Sequence, residues 1–178
     1  MRRCGHCSAC CVEIDVVELK KRTHTRCPLQ GAHRGCSIHG TDAVPDACTT
    51  FMCQWLLGMG SNADRPDKIG VIFIQRPPLM NPGRPMHERF TRNWIQAVRT
   101  PATDRSVPLH PRAERIIERI IAREEVVEVI HRFTGGGGRE ATYRALDKPA
   151  AEQLATAILC AESDAIQAEL DRRGGEAE

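Results

Sequence analysis

The stretch Cys4-Gly5-His6-Cys7-Ser8-Ala9-Cys10-Cys11 sets four thiols in one short run, and its reading decides how the first third of the chain folds. Four more follow at Cys27, Cys36, Cys48 and Cys53, so eight of the nine cysteines lie between Cys4 and Cys53. Cysteines used as buried hydrophobes would not crowd in this way. A Cys-x2-Cys turn lets two thiolates converge on one cation, and Gly5 beside Cys4 and Ser8 beside Cys7 suit such a turn. Zinc takes four ligands in a tetrahedron, often all thiolate, so eight cysteines would fill two such sites. Neighbouring side chains in an extended segment point opposite ways. Cys10 and Cys11 therefore serve different sites, or only one of them is a ligand.

The segment that carries these thiols needs them. From residue 1 to about Leu57 the chain is poor in large apolar residues, with short patches only at Val12 to Leu19 and Phe51 to Leu57. So thin a core does not fold on packing alone. Metal binding supplies folding free energy of order 10 kcal/mol, enough to offset the deficit. The first three cysteines at Cys-x2-Cys-x2-Cys, with Cys27-Pro28 as a distant element, also resemble an iron–sulfur run of the bacterial ferredoxin kind, although the fourth cysteine lies further away here. Zinc and an iron–sulfur cluster both stay open. Structural disulfides would need an oxidising compartment. Cys160 stands apart, inside an apolar helical stretch, and reads as core. His6, His33 and His39 lie near the thiols and read as solvated or as hydrogen-bond donors to thiolates rather than as ligands.

Composition bounds the rest. The 178 residues suit one domain with a smaller module attached, and a hydrophobic share of 41% with only 4% aromatics implies an aliphatic core. A net charge of +2, with arginines interspersed among acidic residues, gives no reason to expect nucleic acid. Met1-Arg2-Arg3 has no apolar run behind it, so no secretory leader is expected, and no stretch approaches the roughly 18 apolar residues that span a bilayer. A cytoplasmic protein with reduced thiols and no membrane contact is the expectation.

Beyond residue 60 the pattern predicts an α+β part. Ile69 to Ile74 reads as a buried strand. His87 to Arg99 reads as a helix with Phe90, Trp94, Ile95 and Val98 on one side. Arg112 to Arg123 reads as a second helix with Ile116, Ile117, Ile120 and Ile121 as its stripe. Glu125 to Phe133 reads as a strand, Thr134 to Gly138 as a turn, and Glu140 to Leu146 as the returning strand. Asp147 caps a third helix with Pro149 in its first turn, lined by Leu154, Ile158, Ala161, Ala165 and Leu170, and stopping at Gly174-Gly175. The fold class expected is α+β: a small irregular metal-stapled subdomain over residues 1–60, then an α+β part over residues 61–178, packed on it, with a short sheet and three helices. The four-glycine run lacks the Lys-Ser or Lys-Thr of a phosphate loop. Neither a Ser-His-Asp signature nor a Gly-x-Ser-x-Gly elbow is present.

The ordered set Cys4-x2-Cys7-x2-Cys10-Cys11, Cys27-Pro28, Gly35-Cys36-Ser37-Ile38, Pro45-x2-Cys48 and Phe51-x-Cys53 resembles the YkgJ-type cysteine cluster family over the first third of the chain. Trp55-Leu56-Leu57-Gly58 and Arg65-Pro66-Asp67 look like the continuation in longer members. Two positions depart from the pattern: His39 stands where members often have an aromatic, and Val44 where they often have Arg before Pro. The resemblance implies a zinc- or iron-chelating domain whose metal ligands are Cys4, Cys7, Cys10, Cys11, Cys27, Cys36, Cys48 and Cys53. It implies no established reaction. Some relatives are associated with iron–sulfur-dependent protein modification, including flagellin lysine methylation, and nothing in the C-terminal two thirds carries that activity over. The expectation is therefore a metal-binding protein, zinc or iron–sulfur, with a protein as a possible partner. The alternatives are an iron–sulfur-dependent redox or modifying enzyme and a metal chaperone.

Overall fold

The computed structural model describes residues 2, 4–23, 25–31, 36–38, 41–80, 83–100, 107–123, 125–132 and 139–175. Its frame is a four-stranded sheet: β1 (Val71–Arg76), β2 (Trp94–Arg99), β3 (Val127–Arg132) and β4 (Arg139–Arg144), side by side in chain order. β1 runs antiparallel to β2, β2 parallel to β3, and β3 antiparallel to β4. A parallel pair needs a crossover, and helix α4 (Pro111–Ile121) supplies it. Pro111 sits in its first turn and His110 precedes it, with the His110 ring accepting from Arg112 N at 3.1 Å.

Alternation along the strands divides the core in two. Val71 and Phe73, Ile95 and Ala97, Val127 and Val129 point to one face, where α4 covers them with Ala113, Ile116, Ile117 and Ile120. Ile72, Ile74, Val98 and Ile130 point to the other face and meet Ala9, Cys53 and Trp55 of the cysteine-rich segment. At the end of that face Trp94 joins Phe90, Val126, Ala150, Leu154 and Ala157, which seats the start of helix α5 (Lys148–Gly175). The sheet is thus sandwiched between α4 and a mixed layer of cysteine-rich segment and α5.

Several expectations hold and several are corrected. The strand expected at Ile69 to Ile74 starts at Val71, because Pro66–Ile69 forms a short helix (α3) that ends on Gly70 at φ 65°. A Cβ there would press on Thr100 O at 3.2 Å. The helix expected over His87 to Arg99 is not formed: a single 3-10 turn, Met86–Glu88, is followed by β2. All six residues of β2 are buried, so no alternation survives in its sequence, and the apolar spacing mimics a helix. Of the three helices expected in the C-terminal part, two are formed among the described residues, α4 and α5. The helix expected at Arg112 to Arg123 and the strands expected at Glu125 to Phe133 and Glu140 to Leu146 are present, each within three residues of its expected bounds. The turn Thr134 to Gly138 lies outside the described residues.

α5 extends through Gly174 to Gly175 rather than stopping before them. Its 28 residues span about 42 Å, roughly twice a six-residue strand. Only its first turns find sheet to cover. Leu154 is fully buried, whereas Ala161, Ala165 and Leu170 are exposed. Cys160 is half-buried rather than core, and its Sγ donates to Glu88 at 3.6 Å. No helix among the described residues is long and apolar enough to cross a membrane.

Candidate metal centre

The first third of the chain is irregular, with helices of four and five residues, α1 (Cys10–Glu13) and α2 (Asp46–Thr50). Short local devices position each thiol. Gly5, at φ 54°, allows a turn closed by Cys7 N to Cys4 O at 2.9 Å. Cys10 and Cys11 open α1. Gln30 N donates to Cys27 O at 3.1 Å and Gln30 bridges to Cys36, which folds Cys27 and Cys36 into one loop. Cys48 sits in α2, after Pro45. Cys53 is buried at the sheet, where the next residue donates from Gln54 N to Phe73 O at 2.8 Å.

These segments enclose a cavity of about 530 Å³. Seven of the eight candidate ligands line it: Cys4, Cys7, Cys10, Cys11, Cys27, Cys36 and Cys48. Ile14, Val16, Leu29 and Phe51 supply apolar wall between them. Cys53 does not line the cavity; it lies beneath, in the cluster that Cys7 and Cys10 also touch. All nine cysteines carry free thiols. His6 lines the cavity and is exposed, while His33 and His39 lie outside the described residues.

The thiols act on one another. Cys10 bonds to Cys11 and to Cys4, and those bonds together with burial hold it protonated well above the usual thiol range. Cys11 accepts from Cys10 and is lowered to about 7, with the Lys21 ammonium assisting. Burial raises Cys7, Cys53 and Cys48, and Cys48 is pressed further by Cys11, Cys27 and Cys36. Thiols kept neutral by burial and mutual repulsion are groups that a cation would ionise together.

Two partners escaped the sequence reading. Lys21 lies in the run Lys20-Lys21-Arg22, to which the sequence reading gave no role, and it is only 4% exposed. Its bridge with Val16 turns the side chain inward, where Nζ donates to Ile14 O at 2.5 Å and to Val12 O and Arg22 O at 3.2 Å. Asp67 accepts from the Cys7 thiol and is gripped by Arg65 at 2.6 and 2.9 Å. Arg65-Pro66-Asp67 stood out only as a continuation of the family pattern, with no role assigned to Asp67. Arg2 closes the far side: it stacks over Trp55 at 5.2 Å and donates to the carbonyls of Trp55 and Met59 at 3.0 and 2.8 Å.

The donor set fits a soft cation: thiols dominate the lining, and Cys10 is within bonding reach of two other sulfurs. As placed, no three His, Cys, Asp or Glu side chains among the described residues stand in a metal-holding group. Each cysteine re-aims its sulfur by rotation about a single torsion. The chain matches no protein-family model, no curated protein and no solved structure, so the YkgJ-type resemblance rests on the sequence motifs alone.

Proposed function

We propose that this protein is a thiolate metal-binding protein, its cysteine-rich third folding around zinc or an iron–sulfur cluster held by Cys4, Cys7, Cys10, Cys11, Cys27, Cys36, Cys48 and Cys53. One observation carries the reading: thiols from separate chain segments wall a single cavity although the segment has little apolar core of its own to draw them together. Zinc would act as a structural staple. A cluster would supply electron transfer. This chain's own residues would hold the metal, exclude water through the apolar wall and offset thiolate charge with Lys21. A thiolate site of this kind would suit a reducing compartment such as the cytoplasm. A protein partner, rather than nucleic acid, is the partner proposed.

Anaerobic purification followed by metal analysis and a visible spectrum of the same sample tests this. Near-stoichiometric zinc in a colourless protein supports the staple. Iron with sulfide and a brown colour supports the cluster, and would open the redox or modifying-enzyme alternative. Cys7→Ala should lower metal content and thermal stability. A carrier would release its metal to a competing thiol without unfolding. A wild-type protein that takes up neither metal, with all thiols titratable, would overturn the proposal.

A further inference from the structure

We propose that the eight cysteines form two separate centres, Cys4, Cys7, Cys10 and Cys53 against the sheet and Cys11, Cys27, Cys36 and Cys48 on the outer side. The inference rests on the metal-binding reading above and assigns its ligands. Helix α1 makes the division. Successive residues on a helix diverge by about 100°, so Cys10 and Cys11 leave α1 in different directions and face different neighbours.

Cys10 turns to the sheet, packing with Cys7 against the cluster of Ile72, Ile74, Val98 and Ile130 that contains Cys53. Cys4 joins this side, since its carbonyl closes the turn to Cys7 and its thiol bonds to Cys10. Cys11 leaves the helix in a different direction, its thiol still in contact with that of Cys10. The loop that pairs Cys27 with Cys36 and the helix that carries Cys48 also line the cavity, and none of these three cysteines belongs to the sheet-side cluster that holds Cys53. The thiols that press on Cys48 are Cys11, Cys27 and Cys36. Each group draws on two or more chain segments, as a staple must. The Cys4–Cys11 proximity marks where the two centres adjoin.

Cobalt(II) is the probe, because its thiolate absorption reports how many sulfurs bind each ion. The wild-type protein, reduced and metal-free, should bind two equivalents. Limited alkylation with peptide mapping at one equivalent should find four cysteines of one group shielded and four of the other modified. Cys7→Ser/Cys53→Ser should keep one equivalent, and so should Cys27→Ser/Cys48→Ser. Cys7→Ser/Cys48→Ser should keep none with full thiolate intensity. A single equivalent in the wild type, or shielding at half-loading that mixes the groups, would overturn the division while leaving metal binding intact. No uptake at all by the wild type would overturn both. The shielding experiment uses the unmutated chain, so variants that fail to fold do not remove the test.

Discussion

Asp64 joins the loop that follows the cysteine-rich segment to α4, and replacing it with alanine should cost about 2 kcal/mol. Its carboxylate accepts from Ser61 N at 2.7 Å and Ser61 Oγ at 2.8 Å, completing a reciprocal cap of a 3-10 turn. It also accepts from Arg112 of α4 at 3.0 Å. Loss of a cap of this kind costs about 1 kcal/mol. The Arg112 side chain is 42% exposed, so its pair is screened and adds at most about 1 kcal/mol. For a chain of this length about 2 kcal/mol lowers Tm by roughly 4–8 °C.

The pH dependence has a definite sign. Asp64 is lowered to about 2, first by the Ser61 N–H and then by the Ser61 hydroxyl and Arg112. A carboxylate depressed in the folded state stabilises it fully above the unfolded value of about 3.9, and the contribution disappears as pH falls towards 2. Melting followed by circular dichroism should show the gap between wild type and Asp64→Ala closing over that window. Trp55 offers a local readout, because its indole donates to Ser61 O at 2.9 Å, and its fluorescence should shift in the variant. Equal Tm values at pH 7, or a gap that stays constant on acidification, would refute the reasoning.

Leu154→Ala removes a fully buried side chain from the cluster that seats α5; it should cost 2–5 kcal/mol, read by chemical denaturation, whereas Leu170→Ala at 57% exposure should be nearly neutral. In the metal-free protein Cys11 should be the thiol of the adjacent pair that alkylates first, its rate rising with pH through about 7 while Cys10 stays protected; peptide mapping after iodoacetamide checks this, and faster modification of Cys10 would contradict it. Removing metal with a chelator should expose amides of residues 4–57 to hydrogen exchange and leave those of β1, β2 and β3 protected, because the α4-covered face holds no cysteine.

What was legible in the sequence follows from where one-sidedness survives. α4 shows its stripe because one face meets the sheet and the other meets water. β3 and β4 read correctly from β-branched content and the glycine-rich break between them. β2 does not, because α4 covers one face and the cysteine-rich segment and α5 cover the other. α5 is legible as a helix but not in its burial, since Leu154 and Leu170 look alike in sequence and only one reaches the sheet. The thiols announce themselves by spacing. Lys21 and Asp67 do not, because what makes each part of the site is a tertiary contact, with the carbonyls of Val12 and Ile14 for the first and the Cys7 thiol for the second.

The arrangement also implies an order of assembly. The buried residues of the face under α4 all lie between Ile69 and Val129, with Met59 packed at their edge. The opposite face is completed only when Ala9, Cys53 and Trp55 cover Ile72, Ile74, Val98 and Ile130. The cysteine-rich segment can therefore dock on a sheet that already exists, while the sheet half gains its second cover from the docking. Cys53 and Trp55 flank the backbone contact of Gln54 with Phe73, so this seat is made by backbone and apolar contact rather than by thiolate ligation. Cys7 and Cys10 then arrive against a fixed wall. The thiols on the Cys27–Cys36 loop and on α2 are not part of that apolar cluster and do not pack on the sheet. On this argument the sheet-side group is the preorganised one and should load first, with the outer group closing over it.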